Sequence, residues 1–107
     1  MTSPRTAVAE TAPALTTVVP SHAELDVATV PELDRLLEQA LAARPSRLFV
    51  DLSSCTFADS TACASLARWT SRASRQGSDL QLCGLSSRLR RIITLTGQPG
   101  LVLESED

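Results

Sequence analysis

Three short apolar runs are separated by stretches long enough for a helix and its loops. They are Leu15-Thr16-Thr17-Val18-Val19, Leu48-Phe49-Val50-Asp51-Leu52 and Leu80-Gln81-Leu82-Cys83. This spacing constrains the fold more than any other feature. Antiparallel strands can be joined by about two residues, whereas parallel neighbours need a crossover of about a dozen or more, usually helical and right-handed. The stretches between the runs carry the matching signal. Val30, Leu33, Leu36, Leu37, Ala40 and Leu41 recur at helical spacing, as do Ala62, Cys63, Leu66, Ala67 and Ala73, and again Leu89, Ile92, Ile93 and Leu95. The chain is therefore expected to form an α/β domain: a central mixed, mostly parallel sheet with helices packed against it.

Local signals set the expected boundaries. Thr29-Val30-Pro31-Glu32 reads as a capping box opening the first helix, with Pro31 in its first turn, and Pro45 follows that helix. The second strand is expected over residues 47–52 and the second helix over about 60–76, closed by Gly77 in a left-handed conformation. The third strand follows at 80–83. Ser86 or Ser87 is placed to cap a third helix that ends at Gly97. Leu101-Val102-Leu103 reads as a last strand before an acidic tail, and Ala23-Glu24-Leu25-Asp26 reads as a loop. Residues 1–13, rich in Ala, Thr, Ser and Pro, are expected to be a disordered tail, with an edge strand within residues 6–10 as the alternative. The remainder, 14–107, is expected to be a single domain.

Composition excludes several function classes. Net charge is −2 and the only aromatics are Phe49, Phe57 and Trp69, so direct nucleic-acid binding is not expected. No apolar run reaches membrane-spanning length and no secretory leader is legible, so the expected location is cytoplasmic, away from the membrane. Cys55, Cys63 and Cys83 lack CxxC spacing, and the single histidine, His22, is remote in sequence from them. Neither a metal site nor a disulfide framework is indicated. Cys63 and Cys83 read as small core residues, and Cys55 as a thiol in a turn that could be exposed. No phosphate-binding glycine motif is present, and neither a cofactor nor enzymatic activity is expected. Ser60 with His22 and Asp26 would make a hydrolase triad in composition alone, but Ser60 lacks the Gly-x-Ser-x-Gly elbow.

The segment with the most chemical content is Asp59-Ser60-Thr61, where strand pattern gives way to helix pattern. A hydroxyl there sits by the free amides of a helix N-terminus, where oxyanions are stabilised. The simpler reading is a helix cap by Asp59 or Ser60. A cap and a phosphorylation site are compatible.

Three motifs in order carry a family resemblance. Ala23-Glu24-Leu25-Asp26 with Thr29, then residues 48–52 followed by Phe57-Ala58-Asp59-Ser60-Thr61, then Leu85-Ser86-Ser87-Arg88-Leu89-Arg90-Arg91-Ile92 through Leu95-Thr96-Gly97, together resemble the STAS domain family. Within it the chain is most similar to the bacterial anti-sigma factor antagonists, over roughly residues 15–103. The resemblance implies that Ser60 is the serine phosphorylated by a partner anti-sigma factor, itself a serine kinase. Asp26 would be the loop acid beside that site and in the partner interface. Asp59, Thr61 and Ala62 would flank the phosphoacceptor. The unphosphorylated domain would bind the anti-sigma factor and release a sigma factor. Phosphorylation would block binding, and a serine phosphatase would restore it.

The sequence departs from the family at two glycines, replaced here by Ala62 and Ala23. Alanine at 62 would be strained at positive φ but favourable inside the helix. The chain also stops soon after Leu103, so the family's C-terminal helix would be short, exposing an apolar patch that favours a homodimer. The alternative function is a STAS scaffold subunit of another assembly, either a stressosome-like complex or the cytoplasmic subunit of a lipid transporter. Two basic clusters are left over. Arg68, Arg72 and Arg75 read as a solvated face or, with Trp69 as an anchor, an interface. Arg88, Arg90 and Arg91 are expected to meet an acidic partner or the carboxylates of Glu104, Glu106 and Asp107.

Overall fold

A computed structural model describes residues 14–104. The tail or edge strand expected before residue 14 lies outside the described residues, as does the end of the acidic segment. Five strands and three helices alternate among the described residues: β1 (Leu15–Val18), β2 (Glu24–Leu25), α1 (Val30–Ala42), β3 (Arg47–Asp51), β4 (Phe57–Ala58), α2 (Ser60–Arg75), β5 (Asp79–Cys83) and α3 (Ser87–Leu95).

The three apolar runs pair in parallel, in the order β1-β3-β5. Register joins Val18 to Val50, and Val50 to Leu82. The expected last strand is reduced to a parallel bridge at Leu103, where the Leu82 amide donates to the Val102 carbonyl and the Glu104 amide to the Leu82 carbonyl, each at 2.8 Å. Alternation along the strands divides the sheet. Leu48, Val50, Leu80 and Leu82 are buried, whereas Arg47, Phe49, Asp79 and Gln81 are exposed or half-buried. The buried set packs with Leu33, Leu37 and Leu41 of α1, Ala62, Leu66 and Ala73 of α2, and Leu89 and Ile93 of α3 into one core. Complete burial of a leucine side chain is worth roughly 1.5–3 kcal/mol, so this cluster supplies the main stabilising term.

Helix ends follow the sequence signals in part. Ser86 caps α3 by accepting from the Leu89 amide at 3.0 Å. Gly77 has φ +87°, the left-handed geometry expected after α2. Gly84, at φ +70° after β5, lies so near the Asp51 carboxylate that a side chain there would collide with it. That carboxylate accepts from the Ser53 amide at 3.0 Å, and the Ser53 hydrogen bonds hold the Asp51 carboxyl below its ordinary range despite some desolvation.

The capping box at α1 is a correction. Thr29 is the N-cap, but its side chain caps no helix amide. Thr29 Oγ1 instead accepts from the Asp26 amide at 2.9 Å and donates to the Glu24 carbonyl at 3.0 Å. Glu32 turns outward to Arg35, 3.3 Å away.

Two expectations about packing also change. Trp69 is only 7% exposed, with Nε1 donating to Asp34 Oδ1 at 2.8 Å, so it fastens α2 to α1 instead of anchoring a partner. The same carboxylate oxygen accepts from buried Ser65 at 2.6 Å. Cys55 is 4% exposed and its Sγ meets the His22 carbonyl at 3.3 Å, so the turn thiol is enclosed. Burial foremost, aided by the Asp51 charge, pushes this thiol above its ordinary pKa, the opposite of an activated cysteine. Cys63 is buried and Cys83 half-buried.

Candidate functional site

The segment at residues 23–26 that looks like a loop in the sequence pairs with Phe57–Ala58 in a second, two-stranded parallel sheet. β2 and β4 pair Glu24 with Phe57 and Leu25 with Ala58. Hydrogen bonds extend the ladder at both ends: the Thr56 amide donates to the Ala23 carbonyl at 2.7 Å, and the Asp59 amide to the Leu25 carbonyl at 3.0 Å. Leu25 and Ala58 are both 1% exposed and fix the ladder to the core. Asp26 and Asp59 therefore occupy the next positions on adjacent strands. Two acids more than thirty residues apart in sequence are set side by side.

Each acid then organises its own loop. Asp26 Oδ1 accepts from the Ala28 amide at 3.0 Å and the Thr29 amide at 3.1 Å, closing a tight turn. Val27, between them, is 71% exposed. Asp59 has extended backbone and caps α2, its Oδ1 accepting from the Ala62 amide at 2.8 Å. Ser60 and Thr61 are the first two residues of α2, and both are exposed. Ser60 Oγ makes no hydrogen bond among the described residues. The Ser60 and Thr61 amides belong to the unpaired first turn, while the Ala62 amide is taken by the cap.

Four of the five singled-out residues thus share one surface, and Ala62 does not. Its side chain is fully buried, beneath the exposed start of the helix. Its helical position also settles the glycine question, since alanine is the better helix residue.

Other features around the serine were missed in the sequence. Exposed Val27 follows Asp26, and 41% exposed Phe57 precedes Ala58. At the end of α3, the Thr96 hydroxyl donates to the Ile93 carbonyl at 2.7 Å, and its neighbour Leu95 is 78% exposed on the outer face of that helix. The only available signal was that Val27 and Phe57 fall outside the core-facing pattern; Leu95, expected on the apolar face of α3, is exposed instead.

Other chemistries gain no support from the arrangement. No hydrogen bond joins His22 to Ser60 or Asp26 among the described residues. No three His, Cys, Asp or Glu side chains among them cluster to hold a metal. No helix of the described residues is long and apolar enough to cross a membrane.

A free serine hydroxyl at a helix start, flanked by paired acids on a short parallel ladder, invites comparison with known folds. The family model described as "Mlab, STAS domain" matches residues 9–103. The chain belongs to the STAS family. Its fold is that of the anti-sigma factor antagonist SpoIIAA, solved in its unphosphorylated form. The two agree with a TM-score of 0.65 over 87% of this chain and 83% of SpoIIAA, at 16% sequence identity. Sequence comparison with curated proteins gives no significant match. The STAS domain is thus reached from order and spacing of motifs, and its fold is retained where sequence identity is low.

Proposed function

We propose that this STAS domain is an anti-sigma factor antagonist. While Ser60 is unmodified, the domain binds an anti-sigma factor serine kinase and so frees a sigma factor; phosphorylation of Ser60 by that kinase ends the binding, and a serine phosphatase resets it. The observation that carries the reading is the exposed, unbonded Ser60 hydroxyl at the first position of α2, with Asp59 and Asp26 side by side on the β2–β4 ladder. The fold shared with an anti-sigma factor antagonist supports it.

The surface has the properties such a switch requires. Val27 and Phe57 offer apolar contact, and Ser60, Thr61 and Asp26 offer polar contact in the same region. A phosphate on Ser60 adds a charge of about −1.5 to −2. The helix N-terminus partly favours that charge. Asp59 already occupies the Ala62 amide, however, and Asp26 adds a second carboxylate nearby. A hydrated dianion then stands where a partner must dock flush. Losing ~4 kcal/mol of binding free energy weakens affinity about a thousandfold. No refolding is required.

Incubation with the cognate kinase and ATP is expected to add one phosphate, read by intact-protein mass spectrometry. Ser60→Ala should abolish it and leave kinase binding intact, while Ser60→Asp should weaken binding strongly. Phosphate on another residue, or equal affinities of the Ala and Asp variants by calorimetry, would overturn the proposal.

The STAS family match is equally compatible with a second reading, a scaffold subunit of another assembly such as the cytoplasmic subunit of a lipid transporter. In that case the domain purified from its host would bring down a transporter ATPase or permease, and Ser60→Asp would leave that association unchanged.

A further inference from the structure

The outer face of α2 continues from Ser60 as a basic stripe. At about 100° per residue, Ser60, Ala64, Arg68, Ser71 and Arg75 fall within a sector of about 80° on the helix, with Arg72 at its edge. Ser60, Arg68, Ser71, Arg72 and Arg75 are all exposed. The stripe runs about 22 Å along the surface at 1.5 Å per residue.

Among the described residues, none of its guanidinium groups has a carboxylate within 4.0 Å. α2 contains three arginines and no acid, a net of +3 in a chain whose net charge is −2. The one ion pair among the described residues is Arg35 with Glu32, on α1. Asp34 and Glu38 line the same groove of about 430 Å³ as Arg68, Arg72 and Arg75. Asp34 Oδ1 is occupied by Ser65 and Trp69, and no guanidinium lies within 4.0 Å of Glu38. Arg72 is stacked over the Trp69 ring at 4.8 Å, which holds its head group in place. Arg75 bonds only the Ser71 hydroxyl, at 3.4 Å. A placement near the helix C-terminus accounts for Arg72 and Arg75 but not for Arg68, which sits mid-helix.

We infer that this stripe is a second half of the docking surface, and that it receives an acidic segment of the protein partner that engages Ser60. The inference rests on the antagonist reading above and adds the chemistry of the partner. Continuity with Ser60 on one rigid helix means that a single partner can span both. A protein partner fits better than nucleic acid, because the rest of the chain carries a net negative charge, twelve acids against seven other arginines.

The test uses the full chain and the kinase that phosphorylates Ser60, with a fluorescent Asp/Glu-rich peptide as a partner-independent probe. Arg68→Gln/Arg72→Gln/Arg75→Gln is expected to weaken kinase binding about tenfold at low salt and to flatten its salt dependence. It should raise KM for Ser60 phosphorylation with little change in kcat, and lose the peptide. The triple Lys variant should recover most of the affinity, which separates charge from folding; circular dichroism melts check the latter. Unchanged affinity and salt slope in the Gln variant would overturn the inference while leaving the Ser60 switch standing. Peptide binding equal in wild-type and Gln proteins, or displacement of the peptide by a short DNA strand, would overturn it as well. If no kinase modifies Ser60, the antagonist reading falls, and the peptide arm alone still decides whether the stripe takes acidic chains.

Discussion

The N-termini of α1 and α2 both follow a strand of the same two-residue ladder, yet they are built differently. At α2 the acid that leaves the ladder, Asp59, caps the helix directly through the Ala62 amide. At α1 the acid in the equivalent place, Asp26, stops short and folds its loop back on itself. Thr29, the formal cap, then bonds Asp26 and Glu24 instead of the helix. The difference shows what each start is for. The start of α2 leaves Ser60 open, and the start of α1 spends its hydrogen bonds on holding Asp26 and Val27 out beside it.

That contrast can be broken from underneath. Leu25 is buried beneath both loops, and Leu25→Ala should destabilise the fold by about 2–5 kcal/mol in urea denaturation while detaching Asp26 from Ser60. A loss below about 1 kcal/mol would mean that the ladder does not couple the two starts. Removing the α2 cap with Asp59→Ala should cost about 1 kcal/mol, visible as a lower denaturation midpoint. Thr29→Val, which keeps the shape but not the hydroxyl, is expected to cost a similar or slightly smaller amount, about 1 kcal/mol, by releasing the Asp26 turn. It should also weaken kinase binding more than Asp59→Ala weakens the peptide probe at the far end of α2. The smallest effect is expected at Glu32→Ala. An exposed pair with Arg35 is worth less than about 1 kcal/mol, and a true capping box would lose more. A Glu32→Ala loss matching Thr29→Val would restore the capping box and erase the contrast.

Much of the fold was legible because it rests on periodicity. Leu48 and Val50, Leu80 and Leu82, and the spaced leucines of α1 announce the face each element buries. Ser86, Gly77 and Asp59 act as their residue types predict, since caps and left-handed ends depend on a few neighbouring atoms. The serine and its flanking acid were legible for the same reason. Val27 and Phe57 were not, because a two-residue strand has no period to read: residues 23–26 look like a loop, and Phe57-Ala58 gives no strand signal of its own. Trp69 and Cys55 were misjudged on one principle. Whether a side chain at a helix flank or turn is covered depends on what another element brings to it, Asp34 from α1 in one case and the His22 carbonyl in the other.

Sequence alone determined the parallel α/β plan and the helix closures, consequences of short-range spacing and backbone chemistry, and it set Ser60 at a helix start; only the family resemblance makes that serine the candidate phosphoacceptor. Tertiary structure decided that Asp26 stands next to Asp59, that Thr29 serves a loop instead of a helix, and that the arginines of α2 form no ion pair among the described residues. These outcomes depend on hydrogen bonds and charges between segments distant in the chain, and no local pattern of residues encodes such a meeting.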